Sequence, residues 1–80
     1  MAVYEDKETG ELVHAYEFTG KNHDFIINKL IAHGIKKYNA IYTVGIMEEH
    51  DTIVLDYNGN ITILPKSKFT KWYTPFTVKG

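Results

Sequence analysis

Lysine ammonium groups and the only indole of the chain are concentrated in Lys66-Ser-Lys-Phe-Thr-Lys-Trp-Tyr-Thr74. That combination suits a phosphorylated aromatic ligand, with cations meeting phosphate and a π-face lying under a base. Phe69 and Tyr73 stand four residues apart and would anchor a short helix, which leaves Trp72, Lys68 and Lys71 for the ligand. Trp72 has an equally good structural use, as cover for the preceding hairpin or as part of a subunit contact. Tyr38, Tyr42 and Thr43 offer a second aromatic and hydroxyl group to complete a pocket at a symmetry axis. Asn22, in Gly20-Lys21-Asn22 ahead of a helix, lies where free amides and the helix dipole favour an anion. The spacing is not that of a Walker loop, however, and ordinary capping is the simpler use.

Other chemistry finds less support. His14 and His23 are nine apart on different elements, and Glu48-Glu49-His50-Asp51 gathers carboxylates around one imidazole in a loop. Neither has the spacing that fixes a first metal shell, so no metal is expected. Ser67 is the sole serine and has no nucleophile-elbow glycines around it. Paired carboxylates fall only on turns and at the acidic N-terminus, where desolvation rarely separates their pKa values. A non-enzyme without a cofactor is therefore expected.

With 80 residues and no cysteine, the chain reads as a single domain, 1–80, that lacks disulfides and thiolate metal sites. A domain this small often gains stability by self-association, and 14% aromatic residues make a buried subunit interface, in a dimer or tetramer, the expectation. The longest apolar runs are three or four residues and the N-terminal stretch is acidic, so neither a spanning segment nor a secretory leader is expected. Net charge is −1, yet residues 1–20 carry five acids against Lys7, and residues 60–80 carry Lys66, Lys68, Lys71 and Lys79 with no acid. Such polarity suits a local anion site or a head-to-tail contact better than a nucleic-acid-binding stripe. Arginine is absent, which removes bidentate base readout and argues against DNA or RNA as partner.

The elements that position these residues follow from periodicity. Asp51–Tyr57 and Asn60–Leu64 flank Asn58-Gly59, a type I′ hairpin signal that pairs Tyr57 with Asn60 and Val54 with Ile63. Leu12–Phe18 alternates as a strand, with Leu12, His14, Tyr16 and Phe18 toward the core, and a looser strand at Val3-Tyr4 precedes it across Asp6–Gly10. Asn22 caps a helix that runs to about His33 with Ile27, Leu30 and Ile31 on one stripe, and Gly34 ends it. Ala40–Ile46, β-branched and aromatic, reads as a strand. The expected fold class is α+β in the order β(β)αβββ: a small antiparallel sheet with one main helix packed on it and a short C-terminal helical turn.

Two segments together resemble a widespread group of small bacteriophage proteins. Ala15–Asn22 is similar to their opening "EAxQWTGxN", and Asp51–Asn60 with Pro65–Pro75 to their closing "GDYIVxDxxGExYPCKPDIFEKTYEP". Phe18, Gly20, Asn22, Asp51, Gly59, Phe69, Lys71, Tyr73 and Pro75 match by position, and these read mainly as fold determinants. Trp72 stands where the group has a small polar residue, and Lys66 and Lys68 replace Pro and Ile. The additions resemble what anti-CBASS sponges require, which are homo-oligomeric proteins that bind a cyclic-nucleotide alarm signal without cleaving it. The resemblance implies an immune-evasion protein of the host bacterial cytoplasm that sequesters a cyclic dinucleotide such as cyclic GMP-AMP, or a cyclic ADP-ribose signal. Trp72 with Tyr42 or Tyr38 would then stack on bases, Lys68 and Lys71 would neutralise phosphate, and Asn22 and Thr43 would meet base edges or ribose. An inhibitor acting by direct protein contact, or a structural phage module without a ligand, are the alternatives.

Overall fold

The Asp51–Pro65 hairpin is the point from which the fold is best built. In a computed structural model, which describes residues 3–76, Asp51–Leu55 and Ile61–Pro65 pair antiparallel. In chain order the elements are β1 (Val3–Asp6), β2 (Leu12–Glu17), α1 (His23–Ala32), α2 (Lys37–Gly45), β3 (Asp51–Leu55), β4 (Ile61–Pro65), α3 (Lys66–Trp72) and β5 (Tyr73–Pro75). The five strands form one antiparallel sheet in the order β4-β3-β2-β1-β5. The molecule is thus α+β, with helices on an antiparallel sheet and a short helix near the C-terminus. Lys79, counted above among the C-terminal cations, lies outside the described residues.

The hairpin forms at the expected place but one residue out of the expected register. Ile53 pairs with Ile63 and Leu55 with Ile61, instead of Val54 with Ile63. Asp56 is the cause. Its carboxylate accepts the amides of Asn58 and Asn60, each at 2.9 Å, and the Asn60 side-chain amide at 3.0 Å. These bonds hold its carboxyl below the usual carboxylate range, the Asn60 backbone contributing most. Only Gly59 of the turn takes positive φ, at 84°, so a three-residue loop replaces the two-residue type I′ turn. A slip of one residue turns every side chain over. Here it puts Ile53, Leu55, Ile61 and Ile63 together against one core cluster.

Both faces of the sheet are covered. On one, Ile53, Leu55 and Phe18 pack with Ile26 and Leu30 of α1 and Ala40 and Val44 of α2. On the other, Val13, Ala15 and Val54 pack against Phe69 of α3, with Tyr4, Leu64 and Tyr73 at the margin. This second layer explains why Val13 and Ala15, which alternate with the expected core-facing set of β2, are buried. Leu12, His14 and Tyr16 are only half-buried.

The expected strand at Ala40–Ile46 is corrected: residues 40–45 lie in α2 and Ile46 is its C-cap. Ala40, Val44 and Met47 recur at i, i+4 and i+7, all buried, and this stripe closes the core beside α1. Tertiary burial on a helical period outweighs β-branched propensity. Helix α1 ends as expected. Gly34, at φ 91°, donates to the Ile31 carbonyl at 2.9 Å, and Ile35 donates to the Leu30 carbonyl at 3.0 Å, the Schellman pattern. Ile35 then packs on the core. Among the described residues no helix is long and apolar enough to cross a membrane.

Candidate functional site

Helix α3 begins directly at the end of β4 and is pinned to the sheet by Phe69. The Phe69 ring meets Tyr4 edge-on, with centroids 4.8 Å apart, and stacks with Tyr73 at 5.2 Å. The β1–β2 turn holds the far end of the helix. Lys7 donates its backbone amide to the Trp72 carbonyl at 2.9 Å and its ammonium to the Thr70 carbonyl at 3.1 Å, a favourable place for a cation near exposed helix carbonyls. Burial pushes the Tyr73 phenol above its ordinary value of 10.0, with Asp6 and Glu11 adding to the shift. Tyr73 therefore stays a neutral hydroxyl.

Two clefts flank this helix. Lys71, Trp72, Lys7, Asp6 and Glu8 line one of about 450 Å³, where the indole is 47% exposed. Tyr4, Glu17, Lys66, Thr70 and Thr74 belong to the other, of about 390 Å³, which shares Lys7. In the first, Asp6 Oδ1 accepts the amides of Glu8 and Thr9 at 2.8 and 3.1 Å, which ties Asp6 to the turn, while the exposed Glu8 carboxylate can turn toward a ligand donor. In the second, Lys66 lies 3.7 Å from Glu17, whose other oxygen faces His50 at 3.4 Å. Lys66 is thereby partly neutralised; in the Trp72 cleft Lys7 and Lys71 likewise stand with Asp6 and Glu8, and what distinguishes that cleft is its exposed indole.

The residues expected to form one site are divided by the sheet. Lys71 and Trp72 come together, and Lys68 is exposed on the same helix. Tyr38, Tyr42 and Thr43 lie on α2, which packs on the opposite face. The Thr43 hydroxyl donates to the Asn39 carbonyl at 2.7 Å and is used within the helix. Asn22 sits at the N-cap position of α1 without capping it. Its side chain instead accepts the Thr19 amide at 2.9 Å and donates to the Glu17 carbonyl at 2.9 Å, because the preceding loop offers both partners at once. Asn22 is a loop bracket. Lys7 was not singled out from the sequence, although it is the one cation of residues 1–20.

A second group of polar side chains lies where α1 ends. His14 and His33 have ring centroids 4.5 Å apart, the Tyr16 hydroxyl is 3.4 Å from His33 Nε2, and Tyr57 lies edge-on to His14 at 5.9 Å. Burial pushes Tyr16 above its ordinary value. Burial, and then the neighbouring His33, lower the His14 pKa below the ordinary imidazole value of 6.5. The unfolded chain therefore takes up this proton first, so stability is full above pH 6.5 and is lost as pH falls toward the folded-state value. A series of thermal melts between about pH 7.5 and 5 should show Tm falling, and His14→Gln should flatten the slope. An equal slope in that variant would assign the effect elsewhere. Among the described residues no three His, Cys, Asp or Glu side chains converge on a common point.

No family model, no curated protein and no solved structure matches this chain.

Proposed function

We propose that the protein binds and sequesters a phosphorylated planar ligand of the cyclic-nucleotide class, without cleaving it, at the Trp72 cleft. The observation that carries this reading is the half-exposed Trp72 indole beside Lys71 and Lys7 in one cleft of about 450 Å³. That volume lies within the range of small-molecule sites. A base would stack on the indole, Lys71 would meet a phosphate, Lys7 would supply a second cation, and Glu8 would accept from a base N–H or a ribose hydroxyl. The phage resemblance supplies a setting, in which withdrawal of a host alarm nucleotide would silence an immune effector. Tyr38, Tyr42, Thr43 and Asn22 are not part of this site.

Trp72 is the sole tryptophan, so its fluorescence reports occupancy directly. Titration with cyclic dinucleotides and cyclic ADP-ribose should quench it and raise Tm by mass action. By calorimetry, Trp72→Ala should lose about 1–3 kcal/mol of binding, roughly 5- to 150-fold, as is usual for a base stacked on an aromatic ring. Trp72→Phe should keep most of the affinity. An unchanged fluorescence and Tm with every cyclic nucleotide would sink the reading, and recovery of hydrolysed ligand from the complex would replace sequestration by catalysis.

A further inference from the structure

Helix α2 carries apolar side chains on two opposite sides, separated by Lys37, Asn39 and Thr43, although only one of these sides meets the core. Ala40 and Val44 face inward and are buried, while Tyr38, Ile41, Tyr42 and Ile46 are 80%, 48%, 65% and 58% exposed on the outer side. An exposed apolar face of this kind marks an interaction surface, and among the described residues no element covers it. Two further features specify what covers it. The charges at its ends oppose its own dipole. Lys36 and Lys37 stand at the N-terminus, no acid lies in the first turn, no base lies in the last, and Glu48 and Glu49 follow the C-terminus. Among the described residues neither lysine forms an ion pair within the chain. Within a single helix this arrangement is unfavourable at both ends. Gly45 is also on the outer side, has no positive φ and has nothing within 4 Å of where a Cβ would stand. Its own fold does not require a glycine at that position, which carries a helix-propensity cost.

We propose that the outer face of α2 pairs with the same face of a second copy, antiparallel about a two-fold axis near Ile41 and Tyr42. An antiparallel partner brings its Glu48 and Glu49, and the negative end of its helix, to Lys36 and Lys37, and the symmetry repeats the contact at the other end. With that axis Tyr38 lies over Gly45 and Ile46 of the second copy, and the missing Cβ gives the tyrosine room. Tyr38 and Tyr42 are the anchors of the interface, a role for which tyrosine is favoured. Because α2 and α3 lie on opposite faces of the sheet, each copy in this dimer keeps its Trp72 cleft on the far side from the axis. The pairing therefore stands independently of what that cleft binds.

Sedimentation velocity on the full chain over a wide concentration range is the test. The wild type should show a concentration-dependent dimer, and Tyr42→Glu should remain folded by circular dichroism and sediment as a monomer. Lys36→Glu with Lys37→Glu, and separately Glu48→Lys with Glu49→Lys, should each weaken the dimer at least tenfold. Mixing the two charge-reversed proteins should restore a heterodimer, because the all-acidic face then meets the all-basic one. A wild type that is monomeric at every concentration would overturn the proposal and leave the face to a different protein. A dimer indifferent to Tyr42→Glu would place the interface elsewhere, and charge-reversed proteins that fail to pair when mixed would overturn the antiparallel arrangement.

Discussion

Ile53→Ala should lower the unfolding free energy by about 2–5 kcal/mol, the usual range for emptying a fully buried isoleucine site. Ile53 is completely buried at the middle of β3, between Tyr16 of β2 and Ile63 of β4, and it faces the cluster built by α1 and α2. The cavity has little means of collapse, because a sheet strand bonded on both sides holds its backbone in place. For a domain of 80 residues, total stability of about 4–12 kcal/mol follows from roughly 0.05–0.15 kcal/mol per residue. The substitution therefore removes a large fraction of what the fold has. Urea titration followed by circular dichroism checks it, and Ile53→Val, at about 0.5–1.5 kcal/mol, is the calibrating variant. If alanine cost no more than valine, the site would have to be less tightly enclosed than the packing implies.

Phe69→Ala should cost about 3–5 kcal/mol by the same reasoning for a buried aromatic side chain. Its consequences differ, because Phe69 is the one side chain of α3 that is buried. The ring touches Tyr4 and Tyr73 and closes the cluster of Val13, Ala15 and Val54. Without it α3 loses its anchor and Trp72 loses its fixed place beside Lys71 and Lys7. The fluorescence of the sole tryptophan should move toward that of a fully hydrated indole, alongside a fall in urea midpoint. Phe69→Leu should recover most of the stability by keeping the volume apolar. A Phe69→Ala protein with native fluorescence would show that the β1–β2 turn, through Lys7, positions α3 without the ring.

These two substitutions probe the clusters on opposite faces of the sheet, and the division of the core into two faces was only half legible in the sequence. Local chemistry announced itself. Gly34 could end α1 because a left-handed residue after a helical stripe is a stop signal, and Gly59 marked the turn between β3 and β4 for the same steric reason. Phe69 was recognisable as the anchor of α3, whereas Tyr73, expected on the same helical stripe, lies one residue beyond the helix in β5 and meets the Phe69 ring from there. The fold class followed from one helical stripe between alternating strands.

Other features depend on contacts between distant residues. The hairpin register turned on whether Asp56 would capture the amides of Asn58 and Asn60, and two turn geometries compete at nearly equal local cost. Ala40–Ile46 carries both a β-branched composition and an i, i+4, i+7 stripe, and only the position of α1 beside it decides which period is buried. Lys7 joined the candidate site through bonds to residues more than sixty positions away.

The Lys66–Thr74 segment shows the same boundary. Its lysines, its indole and its aromatic anchors are properties of the sequence by itself, as are the absence of arginine and cysteine and the opposite charges of the two ends. What only the tertiary structure decided is which residues share its surroundings. The alternation of β3 sends Val54 to α3 and Ile53 and Leu55 to α1 and α2. Trp72 is thereby placed with Lys71 and Lys7, and Tyr38 and Tyr42 are left on the far side of the sheet. Side-chain type is written residue by residue, whereas proximity depends on the sum of burial over the whole chain, and that sum is settled only when the layers pack.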